Sequence, residues 1–447
     1  MAEARGLLVV CGEPVGARMA GPAIRALELA GAVAASGVEV TLAAPAGPGP
    51  TPARPGVSHV SLTGASLGRL GARHRAVLIG PGILSRFPAL ARLQTPLAVD
   101  LYDPVPLEAA ELFHDAPEAV LAATLDAAAA NLRLELSRAD LILCASPRQR
   151  DLWIGGLLAL GRIKPGLYAA DPALASLCRV VPFGVPQGNP EPGPPAIRGV
   201  LPGVGAEDPI FIWAGGLHDW FDPELAVLAL QRLLDSMPNA RLVFMAGAPP
   251  NQYLQAHRAG SRTRALAQKK KLLDTNVYFL KEWVPYDQRG RYLAEATVGL
   301  STHRDTLESR YAWRTRLLDY LWAGLPVACT GGDPLGDLIS DRGAGVAVGA
   351  GDVEALAAAM SRLAAPGRPR QQAVRATQAL AQELRWEQVA RPLVEWAHDP
   401  RRNAGSASGV GASAAQWRML ATKGIHVLRT EGVAGVRRRT RRFADRD

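Results

Sequence analysis

The sequence predicts an α/β protein: two doubly wound units in tandem, a proline- and glycine-rich linker between them, and a basic tail. Three observations carry this reading. At 447 residues the chain exceeds what one ordinary core fills. Short runs of Val, Ile and Leu alternate with stretches of helical period, as in a parallel sheet covered on both faces. The alternation stops in "VPQGNPEPGPPAIRGVLPGVGAEDP", from Val185 to Pro209, and then starts again.

In order, "GLLVVC" reads as a first strand, followed by a glycine-rich loop and the helix "GPAIRALELAGAVAASG". Strands follow at "VEVTLAAP", "HVSL", "AVLIG", "LAVDL", "DLILCAS" and "RVVPF", with helices at "PEAVLAATLDAAAANLRLELSR" and "PRQRDLWIGGLLAL". Beyond the linker come "IFIWAGG", a helix from Pro223, "RLVFMAG", a basic helix ending "ALAQKKKLL", "VYFLKEW", "YDQRGRYLAEA" and "VGLST". A helix through "ESRYAWRTRLLDYLWAG", then "LPVACTGG" and "GVAVG", completes the set. The expected division is a first unit at 1–185, a linker at 186–208, a second unit at 209–382, a helix at 383–400 returning to the first unit, and a linker with basic tail at 401–447. Two such units facing each other leave a cleft between the carboxyl ends of their sheets, where ligands of these sheets bind.

Composition narrows the function. Hydrophobic residues make up 48% and charged residues 20%, the balance of a folded globular chain. No apolar run is long enough to span a bilayer, and the start "MAEARGLLVVCGEP" enters a strand without a leader, so a cytoplasmic protein is expected. Cys11, Cys144, Cys178 and Cys329 are scattered, with no C-x-x-C, which points to reduced, buried thiols rather than zinc or a disulfide framework. From Gln416 to Asp447 nine Lys/Arg face three acids, supplying +6 of the chain's +9. A near-neutral body with a basic end suggests a peripheral contact with an anionic membrane surface, on the inner face of the plasma membrane, and no nucleic acid. A solvated tail without a role is the competing explanation.

Several stretches invite chemistry. "CGEPVGARMAGPAIRALELA" places Gly12, Gly16 and Gly21 between strand and helix without G-x-G-x-x-G, so a dinucleotide site is unsupported. Its glycines allow close backbone approach, and Arg18 and Arg25 are candidates to meet an anion. "WAGGLHDWFDPELAVLAL" repeats the design, with Gly215 and Gly216 at the strand end and Asp222 as N-cap. In "AVDLYDP", Asp100 and Asp103 end a strand that points at the cleft, as a turn cap or as groups positioning an acceptor hydroxyl. In the helix from Glu308, Leu317, Leu318, Leu321 and Trp322 share a core face, and Arg310 and Arg314, four apart, share a side. Arg316 and Asp319 are spaced for an ordinary helical ion pair, yet guanidinium forks beside a cleft also match phosphate oxygens.

"LLDYLWAGLPVACTGGD" resembles the nucleotide-sugar helix of family 4 (group 1) glycosyltransferases, whose pattern is Glu-x7-Glu followed by Ala-x-x-Gly-x-Pro-Val. The resemblance implies a GT-B fold, two Rossmann-like domains facing across a cleft, with donor binding in the second and acceptor binding in the first. It places Asp319, five before Gly324, on the acid that holds ribose hydroxyls. The first acid's place falls on Tyr311, with Glu308 three residues earlier. The basic pair that the family offers to the diphosphate is replaced by "GGLHDWFDP", which includes Asp219, and this turns attention to Arg310, Arg314 and Arg316. "VDLYDP", "ASPRQRDLWIGGLLALGR" and "VVPFGVP" extend the resemblance, from Gly6 to Trp396, to a bacterial branch met in cell-surface polysaccharide assembly. What it implies is a retaining, metal-independent transfer from a nucleoside-diphosphate sugar to a glycan, lipid-linked or small-molecule acceptor, with no cofactor. A GT-B epimerase and a non-catalytic sugar-nucleotide-binding protein are the alternatives.

Overall fold

The computed structural model describes residues 5–47, 49–62, 64–191, 193–245 and 258–403. The basic tail from Gln416 to Asp447 lies outside the described residues. The first sheet contains β1 (Arg5–Val10), β2 (Val40–Ala44), β3 (Val57–Ser61), β4 (His74–Ile79), β5 (Leu97–Asp100), β6 (Leu141–Cys144) and β7 (Cys178–Val180). All pairs are parallel, in the order β3-β2-β1-β4-β5-β6-β7. The second contains β8 (Ile210–Ala214), β9 (Arg241–Met245), β10 (Val277–Phe279), β11 (Val298–Ser301), β12 (Val327–Thr330) and β13 (Gly345–Val348), parallel in the order β10-β9-β8-β11-β12-β13. In both sheets the order reverses beside the first strand of the unit, which opens a crevice at the carboxyl ends there.

The helices that shape this crevice are α1 (Gly21–Ala35), α2 (Val105–Phe113), α3 (Glu118–Arg138) and α4 (Pro147–Ala159) in the first unit. In the second they are α5 (Pro223–Leu233), α6 (Arg258–Lys269), α7 (Leu307–Tyr311), α8 (Arg316–Trp322) and α9 (Pro334–Asp341). Their starts follow local chemistry. Pro22 occupies the first turn of α1, Ser146 caps α4 by accepting from Gln149 N–H, and Asp222 caps α5 by accepting from Leu225 N–H. After α10 (Arg368–Glu383) the chain crosses back, and α11 (Trp386–Val389) and α12 (Arg391–His398) pack on α1. Trp386 packs against Phe183 with ring centroids 5.0 Å apart and ring planes tilted by 54°, and Arg179 donates to the Pro392 carbonyl at 2.7 Å.

One expected element is divided. The helix anticipated from Glu308 through Trp322 breaks after Tyr311, where Ala312 turns extended, and resumes at Arg316. Two interactions favour the break. Thr306 and Ser309 close a capping box on α7. Arg314 reaches back to Glu308, a spacing of six that an unbroken helix would put on diverging faces. The shared side expected for Arg310 and Arg314 is thereby lost: Arg310 is exposed and Arg314 is buried.

All four cysteines are buried and unpaired. No described helix is long and apolar enough to cross a membrane.

Candidate functional site

The crevices of the two units meet in one cleft of about 360 Å³. Loops after β1 and β5 contribute Glu13, Gly21, Tyr102 and Asp103. Facing them, β8 ends in Gly215 and Gly216, and the segment around the break contributes Trp313, Arg314, Arg316 and Asp319. Gln149 spans the gap: its amide donates to the carbonyls of Tyr102, at 2.7 Å, and Tyr311, at 2.8 Å. Three ion pairs join the two units, Arg148–Asp337 and Arg258–Asp115 exposed and Arg304–Glu111 part-buried.

Tyr320 fixes α8 against the second sheet. Its ring lies over Gly299, where an added Cβ would come within 2.3 Å of the ring carbons. Its hydroxyl sits 2.7 Å from the Leu300 carbonyl and 3.0 Å from that of Ile212, and accepts from Ala214 N–H. One turn earlier, this anchoring sets Arg316 against the Gly215–Gly216 turn. Arg316 Nη2 donates to the Gly216 carbonyl at 2.6 Å, and the guanidinium lies between Trp213 and Phe221, 4.2 and 4.1 Å from their ring centroids. Gly215 has φ +96°, so a side chain there would be strained.

The three arginines singled out in the sequence meet different fates. Arg310 is exposed and lies outside the cleft lining. Arg314 is neutralised by a bidentate, buried pair with Glu308 at 2.7 and 2.9 Å. Arg316, only 7% exposed, forms no ion pair, and its Nε and Nη1 have no hydrogen-bond partner. Burial brings its pKa down to about 9. The helical pair with Asp319 does not form. Asp319 instead accepts from Arg289 Nε at 2.9 Å, while Arg289 is stacked on Tyr286 and Trp322.

Other expected residues are engaged by the fold. Asp219 is buried and accepts from Ala259 N–H at 2.7 Å and Arg258 N–H at 3.3 Å, capping α6 away from the cleft lining. Tyr311 supplies its carbonyl to Gln149, and its side chain is absent from the cleft wall. In the first unit Gly21 lines the cleft, whereas buried Gly16 and exposed Arg18 do not. The anion that Arg25 meets is Asp100, in a bidentate pair at 2.6 and 2.8 Å that neutralises both charges and leaves Arg25 Nη1 without a partner. Asp103 stands in the cleft wall. Burial, with Asp100 and Glu308 nearby, pushes its pKa up to about 7 against the pull of Tyr102 and Arg25.

Arg289, Trp313 and Glu108 line the cleft and carry no sequence signal. Arg289 meets Asp319 across thirty residues, and Trp313 acquires its place only because the helix breaks. Among the described residues no group of three or more His, Cys, Asp and Glu is placed to hold a metal ion.

Residues 208–365, essentially the whole second sheet and its helices, match the family described as Glycosyl transferases group 1. No curated protein matches the chain. Solved structures do. Sucrose-phosphate synthase from Thermosynechococcus elongatus matches with a TM-score of 0.55 at 16% identity, over 88% of this chain and 98% of that one. Anabaena HepE in complex with UDP and glucose matches with 0.64 at 12%, over 88% and 99%. The UDP-forming α,α-trehalose-phosphate synthase from Burkholderia xenovorans, in complex with glucose-6-phosphate, matches with 0.61 at 12%, over 88% and 100%. At these identities the likeness is one of fold, and the fold is that of the GT-B enzymes. The fold is thus GT-B, and residues 208–365 match the group 1 glycosyl transferase family.

Proposed function

We propose that this chain moves a glycosyl group from a nucleoside-diphosphate sugar to an acceptor hydroxyl, with the donor held by the second unit and the acceptor by the first. The observation that carries this reading is Arg316, a buried guanidinium at the cleft that forms no ion pair and has two nitrogens without partners. Leaving such a charge uncompensated is costly, and a diphosphate at the Gly215–Gly216 turn supplies both charge and acceptor oxygens. Arg316 and the turn's amides stabilise charge growing on the leaving diphosphate, usually the largest contribution open to such a site. Asp319, steadied by Arg289, receives ribose hydroxyls. Among the structural neighbours, Anabaena HepE is held in complex with UDP and glucose and with UDP-glucose, which supports a donor of this class here.

Retention of configuration and independence of metal follow from the family resemblance. In a retaining reaction the departing phosphate accepts the acceptor's proton, so no separate base is required. A role in cell-surface polysaccharide or glycoconjugate synthesis, in the cytoplasm, completes the reading. The tail from Gln416 to Asp447, with its nine Lys/Arg, is suited to an anionic bilayer at about 1 kcal/mol per charge near the surface.

The deciding experiment is a thermal-shift series with UDP, GDP and ADP. Ligand binding raises Tm by mass action, so one diphosphate is expected to stabilise the chain well above the other two. No shift with any of them would overturn the donor assignment.

A further inference from the structure

A second cavity, of about 400 Å³, lies within the first unit and joins the cleft through shared wall residues, among them Glu13, Tyr102, Asp103 and Glu108. Its floor is apolar, with Ile79, Ile83, Leu132 and Trp153, and its polar wall is one-sided. Glu13, Asp103, Glu108 and Glu135 contribute carboxyl groups in addition to Asp100, which Arg25 already neutralises. Arg86 is the one basic residue among the described lining residues.

Two of these carboxyl groups have unused bonding capacity. Glu135 on α3 is 3% exposed. Its Oε1 accepts from Gly82 N–H at 2.5 Å, and its Oε2 has no donor among the described residues. Glu108 on α2 lines both cavities and has no hydrogen-bond donor there either. A carboxylate as buried as Glu135 and so poorly supplied with donors is held back from ionising, and half-buried Glu108 shares the lack of donors. Burial pushes Glu135 up to about 8, opposed by the Gly82 amide, and burial with Asp103 and Glu308 nearby raises Glu108 well above the carboxylate range.

We propose that this cavity receives the acceptor as an uncharged, hydroxyl-rich sugar end, held by Glu108, Glu135 and Asp103, and that it excludes acceptors carrying a phosphate. A sugar hydroxyl donates to one carboxyl oxygen and accepts from a protonated one, so it satisfies both kinds of group on this wall. A phosphate brings only acceptor oxygens and negative charge, and on this wall of carboxyl groups Arg86 is the one basic residue to receive it. A cation would have to shed its water beside an apolar floor. The inference rests on the reading that the second unit holds the donor, since that places the acceptor on the Asp103 side.

The test is ligand-observed saturation-transfer NMR on the full chain with methyl α-glucoside and glucose 6-phosphate. The glucoside is expected to bind at least ~10-fold more tightly than the phosphate, a gap of about 1.4 kcal/mol or more. Glu108→Lys should narrow or reverse that gap. Leu132→Trp, which fills the cavity, should abolish the glucoside signal while the nucleoside-diphosphate thermal shift persists, showing that the variant is folded. Absence of a glucoside signal, equal or tighter binding of glucose 6-phosphate, or a glucoside signal indifferent to Leu132→Trp would overturn the proposal. Failure of the donor reading shows separately, as a glucoside signal without any nucleoside-diphosphate shift.

Discussion

Glu308 and Arg314 lock together through two hydrogen bonds of 2.7 and 2.9 Å in a site almost closed to water, while Arg316, two residues on, makes no ion pair and leaves Nε and Nη1 without partners. The same short segment therefore holds one spent guanidinium and one unspent. The spent one shapes the break between α7 and α8; the unspent one faces the cleft.

Removing one partner of the locked pair strands the other. Glu308→Ala should lower stability by about 3–5 kcal/mol, whereas the double variant Glu308→Leu with Arg314→Met should recover most of that loss. Denaturant unfolding of the three proteins checks this. Equal destabilisation by the single and double variants would mean that the pair's geometry, not its charge, sets the break.

Arg316→Ala should weaken nucleoside-diphosphate binding by about 10–100-fold, the range for losing a charge-assisted contact of about 1.5–3 kcal/mol. Arg310→Ala, at an exposed position, should leave affinity unchanged. Titration calorimetry on both variants supplies the comparison. Identical affinities would take Arg316 out of the donor site.

Asp319→Ala should reduce affinity for the ribonucleoside diphosphate about tenfold and cost its 2′-deoxy analogue less. Arg289→Met should reproduce part of the same discrimination, because Arg289 orients the Asp319 carboxylate. Equal losses on both nucleotides would leave Asp319 a structural role only.

Glu135 should impose a pH dependence on stability. Its pKa in the folded chain, about 8, lies above the ordinary 4.5, so the folded state holds a proton that the unfolded chain gives up. Stability is then fully present below about pH 4.5 and falls as pH rises toward 8. Glu135→Gln stays neutral and keeps an acceptor for Gly82 N–H, so its Tm should gain on the parent chain from pH 5 to 8, by roughly 2–4 °C at the upper end. A constant difference across that range would show that Glu135 ionises normally.

Much of the architecture was readable from periodicity and punctuation. Alternating apolar runs and helices have no packing solution in which the strands stay solvated, so two parallel sheets follow, and Pro22, Ser146 and Asp222 mark helix starts by chemistry that acts within one turn. The acid five residues before Gly324 and the paired glycines after β8 were visible for the same reason: their spacing is local.

What the tertiary structure alone decided is which charges are consumed and which remain. Arg25 finds Asp100 seventy-five residues away, Asp319 finds Arg289 thirty residues back, and Asp219 caps a helix that begins thirty-nine residues later. Charge pairing depends on distance in space and on exclusion of water, neither of which is written in sequence separation. By residue type alone Arg310, Arg314 and Arg316 are equivalent, and it is the break at Ala312 that exposes the first, pairs the second and leaves two nitrogens of the third without partners.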